Sequence, residues 1–232
     1  MPKKIGTENW RKKREQDNLE AKESCYYIFC EGKQTEPNYF EGFKRIIEQD
    51  PIYKNTVLIE IEPCSADTIR VINSAEKYVS KNNLKKGQIW CVYDKDSFPK
   101  SDFNGVEQRA DSLNKQNHNI QYHCAWSNEC IEIWFILHFV NYSSNNDRTQ
   151  YIEFLEKKFK ELGIQKYQKN MPDIFDILLK YGNPKLAARY AKKLIKENEG
   201  RSSADISPGT KVYGLVKELA KYLPEDIRNR FL

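Results

Sequence analysis

The chain has 232 residues, with 38 Lys and Arg against 33 Asp and Glu and a formal net charge of +5. That length suits one α/β domain with an extension, or two small domains. No apolar stretch approaches the ~18 residues a membrane span needs, and the opening MPKKIGTENWRKKR lacks the apolar core of a secretory leader, so a cytoplasmic protein with no membrane partner is expected.

Residues 1–23 read as a polar, basic arm, in which Lys3, Lys4, Arg11, Lys12, Lys13 and Arg14 face only Glu8 over the first fourteen positions. SCYYIFC (24–30) is a compact β-prone run, and PNYFEGFKRIIEQD (37–50) carries Phe40, Phe43, Ile46 and Ile47 at helical spacing. TVLIEIEP (56–63) reads as a second strand. SADTIRVINSAEKYVSK (65–81) reads as a helix opened by a Ser cap. QIWCVYD (88–94) is apolar on both faces, as a central parallel strand must be. FNGVEQRADSLNKQ (103–116) is a helix and NIQYHCAW (119–126) a fourth strand. SNECIEIWFILHF (127–139) is an apolar helix that Ser127 or Asn128 could cap.

This alternation predicts an α/β fold over 24–145: a parallel four-stranded sheet flanked by helices. No strand signal follows residue 145. NNDRTQ reads as a loop, then helices are expected near 148–162, 172–181, 184–198 and 208–222, the last opened by Ser207 and Pro208. Residues 146–232 thus form a helical C-terminal extension or subdomain packed on the sheet. It holds a second basic run, KLAARYAKKLIK (185–196), with Lys192 and Lys193 at its centre. Clustered Lys and Arg attract polyanions, although each run alone also reads as a solvated surface.

The six cysteines (Cys25, Cys30, Cys64, Cys91, Cys124, Cys130) lie mostly inside apolar runs without a CxxC pair, so they read as reduced core residues. The acids are more informative. Ligands of an open parallel sheet bind outside the carboxyl ends of its strands. Glu31 directly follows the first strand, Asp94 ends the third, and Asp96 lies two residues on. If the first and third strands are neighbours, these carboxylates meet and need a cation. Mg²⁺, or Mn²⁺ in its place, is a hard, oxygen-seeking choice that can polarise a phosphodiester. The plainer readings are a strand-to-helix turn at Glu31-Gly32 and Asx turns in DKDS.

Glu132 is the sole charge in CIEIWFILHF, and a buried unpaired carboxylate is costly. It therefore sits at a rim, pairs with a basic group, or adds an acid to the mouth of the site. Lys33 could contact a phosphate or be a solvated loop lysine. Glu36, before Pro37, is a neighbour of a helix cap or a further metal ligand. His123 and His138 have no partner at metal-ligand spacing and read as structural. The GxxxxGK[ST] pattern is absent, so any ATP chemistry belongs to a partner.

The Glu-Gly of CEGKQTEPNYF with the Asp-x-Asp of VYDKDSF resembles the Toprim pattern. EGKQTEPNYF, DKD, SNECIEIWFILHF and SPGTKVYGLVKEL together resemble the RloB-like family, over residues 24–223. The resemblance implies a bacterial, Mg²⁺-dependent phosphodiester-cleaving nuclease, an effector of abortive infection against phage (AbiL/RloB) that works beside an RloA-like ATPase. It implies Glu31 as general acid/base and Asp94 and Asp96 as metal ligands; on the reading of the residues themselves, Glu132 could join the metal ligands and Lys33 the catalytic group. The nucleic-acid substrate would be RNA, tRNA in particular, in preference to DNA. Arg11, Lys12, Lys13, Arg14, Lys192 and Lys193 would hold its backbone. At Glu129-Cys130 the chain departs from the Pro and small residue of the family's helix opening. No domain with a tyrosine nucleophile is apparent, which favours hydrolysis over strand passage. Two other readings stay open: a non-catalytic Toprim-like module that binds nucleic acid or an ATPase, and a haloacid-dehalogenase-type phosphatase with Asp94 as nucleophile. The trigger, the bond cut and a homo-oligomeric state also stay open.

Overall fold

A computed structural model describes residues 22–64 and 68–232. Arg11, Lys12, Lys13, Arg14 and the Ser65 cap lie outside the described residues. In chain order come β1 (Ser24–Cys30), α1 (Thr35–Gln49), β2 (Val57–Pro63), α2 (Thr68–Asn82), β3 (Gly87–Asp94), α3 (Lys100–Gln116) and β4 (Ile120–Asn128). Among the described residues the sheet has five strands in the order β2-β1-β3-β4-β5, where β5 is Gly209–Thr210. The first four are mutually parallel, and β1 lies directly against β3 with Cys30 opposite Val92.

The alternation of side chains along each strand explains why β1 and β3 are apolar throughout. Tyr26, Ile28, Cys30, Trp90 and Val92 enter one core. Cys25, Tyr27, Phe29, Ile89, Cys91 and Tyr93 enter the other. The second core is closed by α2 and α3 through Val71, Ile72, Ala75, Phe103, Val106 and Ala110. The first is closed by α1 and by the helices that follow β4: α4 (Glu132–Leu137), α5 (Arg148–Glu161), α6 (Ile174–Tyr181), α7 (Pro184–Glu197) and α8 (Val212–Ala220). A last short helix, α9 (Glu225–Arg228), follows. Tyr151, Leu155, Phe175, Ala191 and Val216 share one apolar cluster with Ile28 and Trp90, so the C-terminal helices are built onto the sheet's own core.

Gly42 shows how closely these layers approach. A Cβ there would lie 2.1 Å from the Phe175 ring, so only glycine lets α6 seat on α1. Phe43 and Phe175 then meet edge to face at 4.7 Å, and burying each ring is worth roughly 2–3 kcal/mol. In α7, Ala187, Ala191 and Leu194 are buried at helical spacing while Lys185, Arg189, Lys192, Lys193 and Lys196 stay exposed. The basic run is therefore the outer face of an amphipathic helix.

Three local expectations need correction. The run 127–139 is not one helix: Ser127 and Asn128 complete β4, and α4 is only Glu132–Leu137. Ser127 and Asn128 consequently cap nothing. The Ser127 hydroxyl pairs with Thr210 Oγ1 at 3.1 Å and Asn128 Nδ2 donates to the Ala204 carbonyl at 3.2 Å. A strand does exist beyond residue 145. Gly209 and Thr210 pair antiparallel with Asn128 and Ser127, and the last long helix starts at Val212, not at Pro208.

Candidate active site

The site is built where β1, β3 and β4 end. The Glu31 N–H donates to the Val92 carbonyl at 2.9 Å, extending the β1–β3 ladder one residue past the strand. This fixes the Glu31 backbone and leaves its side chain to cross to β3, where Oε2 accepts the Asp94 N–H at 3.1 Å. The chain then turns through Gly32 into α1, whose second residue is Glu36. A Cβ on residue 32 would lie 2.3 Å from Glu36 Oε2. Glycine in the Glu-Gly pair is thus needed so that the Glu36 carboxylate can press against the turn.

Asp94 ends β3 and is buried. The following loop is tied to the end of β4, with the Lys95 N–H on the Ser127 carbonyl at 2.8 Å and the Asp96 N–H on the Glu129 carbonyl at 3.0 Å. Asp96 has a φ of 40°, a left-handed conformation that Asp tolerates better than most residues. Glu132, the first residue of α4, is 2% exposed and accepts a hydrogen bond from the Tyr167 hydroxyl at 3.1 Å. Its cost of burial is thus met by a phenol, not by a basic residue. The cation comes from α5. Asp147 caps that helix in a capping box with Gln150, and Arg148 behind it sends Nη2 to Asp94 Oδ2 at 3.3 Å and to Asp96 Oδ1.

Glu31, Gly32, Thr35, Glu36, Asp94, Asp96, Ile131, Glu132, Arg148 and Lys169 line one open cleft of about 390 Å³. All five acids named from the sequence meet there. Lys33 does not. It points into solvent from the turn, and the lysine on the wall is Lys169, whose carbonyl accepts from Thr35 Oγ1 at 2.6 Å.

The electrostatics follow from five acids against few cations. Burial pushes Glu31 up to about 7, opposed by the Asp94 N–H and reinforced by the Glu36 and Asp96 carboxylates. Burial likewise pushes Glu36 up to about 7, against the N–H groups of Glu36 and Gly32 and with help from Glu132. Asp94 is raised well above the usual carboxylate range, first by burial and then by Glu36, Glu132, Asp96 and Glu31. Asp94 Oδ1 is buried without a hydrogen-bond partner.

Among the described residues, no three Asp, Glu, His or Cys side chains close into a ready-made metal cage. The chemistry of the donors nevertheless suits a hard divalent cation. They are all carboxylate oxygens, they are short of positive charge, and one buried oxygen lacks a partner. Mg²⁺ typically takes only one or two protein carboxylates and keeps waters or substrate oxygens for the rest. Asp94 and Asp96 could hold such an ion, with Glu132 and Glu36 beside them.

The family model for RloB-like proteins matches residues 26–219. The chain belongs to the RloB-like family. No curated protein and no solved structure matches it. In this RloB-like protein the matched span covers every acid of the cleft and Arg148.

Sequence reasoning missed Arg148, Tyr167 and Lys169. The D-x-x-Q of Asp147 and Gln150 is a capping signature that could have placed Arg148 in the first turn of a helix. Nothing local shows that this turn faces the end of β3. His138 is structural, as expected: its Nδ1 lies 2.9 Å from the Trp134 carbonyl, and burial lowers its pKa to about 4. His123 stacks on Trp90.

Proposed function

We propose that this RloB-like protein is a divalent-metal-dependent nuclease that hydrolyses phosphodiester bonds. Its place would be as the effector of an anti-phage abortive-infection system, with an ATPase partner and with RNA, tRNA in particular, favoured over DNA. The observation that carries the reading is the convergence of Glu31, Glu36, Asp94, Asp96 and Glu132 on one cleft at the carboxyl ends of adjacent parallel strands. Bound at Asp94 and Asp96, Mg²⁺ or Mn²⁺ would supply Lewis-acid polarisation of the phosphodiester and orient a water.

The protein's own groups divide the remaining work. Glu31, held near pH 7 by its burial, can take or deliver a proton at neutral pH. The Asp94 N–H keeps its carboxylate aimed along the end of β3. Glu36 and Glu132 add carboxyl oxygens at the floor of the cleft, donors that suit a cation better than an anion.

Backbone binding has support on α7 and α8. Lys185, Arg189, Lys192 and Lys217 line a groove of about 510 Å³ with Tyr213 and no acidic side chain. Among the described residues none of these four cations is in an ion pair, and Lys192 lies over the Tyr213 ring. Such a surface suits a polyanion, and Tyr213 offers an aromatic face to a base. Lys193 instead faces Glu197 at 3.6 Å.

The test is to compare RNA and DNA ends from cells expressing wild type and Glu31→Ala together with the partner ATPase. New ends at defined sites in tRNA, present only with wild type, support the reading. New ends in DNA would move the substrate, and identical ends in both strains would overturn the nuclease assignment.

A further inference from the structure

Arg148 is the one cation found in ion-pair contact with the five acids among the described residues. Its fit there is incomplete on both sides. Nη2 alone serves Asp94 Oδ2 and Asp96 Oδ1, while Arg148 Nε and Asp94 Oδ1 are both buried without hydrogen-bond partners. Buried polar atoms are almost always satisfied, so an orphan on each partner marks a pair waiting for another ligand. A guanidinium stays protonated at any ordinary pH. It cannot leave these acids by losing its own charge, whereas a competing divalent cation can displace it.

Its mounting favours such a displacement. The backbone of Arg148 is pinned at the first turn of α5 by the Asp147–Gln150 capping box, and its long side chain spans the cleft wall from that fixed point. Leaving the two aspartates therefore swings the guanidinium within the cleft and does not take it out. A planar fork of N–H donors beside a metal-binding acid pair is the group best matched to a phosphate.

We propose that Arg148 is a displaceable counter-cation: it neutralises Asp94 and Asp96 until a divalent ion takes them, and its freed guanidinium then holds the substrate phosphate. This rests on the metal-dependent reading above.

The test uses the full chain and two measurements with opposite signs. In calorimetry without substrate, Arg148→Gln should bind Mg²⁺ or Mn²⁺ about tenfold more tightly than wild type, equivalent to ~1.4 kcal/mol, with Arg148→Lys in between. At saturating metal, the same Arg148→Gln protein should bind a phosphorothioate-linked RNA oligonucleotide several-fold more weakly. A merely structural role would weaken both. Equal or weaker metal binding by Arg148→Gln, or unchanged oligonucleotide binding, overturns the proposal and leaves the nuclease reading standing. No metal binding by either protein at millimolar concentration overturns both.

Discussion

Glu36→Gln should make the metal-free protein more stable at pH 8. The Glu36 carboxyl is buried against Gly32, faces Glu132, and is raised from an ordinary 4.5 to about 7. Between these values the folded chain keeps a proton that the unfolded chain has released, so stability falls as pH rises through the window. Above pH 7 the folded state carries the full cost, up to about 3 kcal/mol. Glutamine keeps an oxygen for the Gly32 turn and never ionises. It should therefore gain about 1–3 kcal/mol at pH 8, a melting temperature higher by roughly 2–4 °C per kcal/mol for a chain this long, and almost nothing at pH 4.5. Urea and thermal unfolding in chelator at both pH values would measure this. If Glu36→Gln is no more stable than wild type at pH 8, or shows the same gain at pH 4.5, the picture of a charge-crowded cleft is wrong.

Two further outcomes follow from contacts already described. Tyr167→Phe removes the donor at 3.1 Å from buried Glu132 Oε1, so it should cost about 1–3 kcal/mol in chelator; a loss below about 0.5 kcal/mol would mean the carboxylate has another donor. Reversing Lys192 and Lys217 to Glu together should weaken oligonucleotide binding and flatten its dependence on salt by about two in log–log slope, whereas Lys193→Glu, already opposite Glu197, should do much less; equal effects would refute the α7–α8 groove as the contact surface.

Much of the fold was legible because its signals are periodic. A strand apolar on both faces, QIWCVYD, has to lie inside a parallel sheet, and helical spacing marked α1. Glu31, Asp94 and Asp96 were legible from position, because strand-terminal acids on neighbouring strands must meet. What failed has physical reasons as well. IEIWFILHF is apolar at every position but Glu132 and His138 and carries no period by which to find the ends of α4. β5 is two residues long, and its pairing depends on β4, not on its own composition. Lys33 looked close because it is close in sequence, but the turn that aims Glu31 and Glu36 inward aims Lys33 outward. Arg148 and Tyr167 reach the cleft through tertiary packing of helices that local pattern could not orient.

The central claim is that these acids cut phosphodiesters with a divalent metal, and cleavage by the purified protein tests it most directly. Wild type, Glu31→Gln and Asp94→Asn would be incubated with tRNA and with DNA, in Mg²⁺ and in chelator, alone and with the proposed ATPase partner added. Cleavage by wild type that disappears in chelator and falls at least ~100-fold in both variants is the expected result. Equal cleavage by all three proteins, or cleavage undiminished in chelator, would contradict the account.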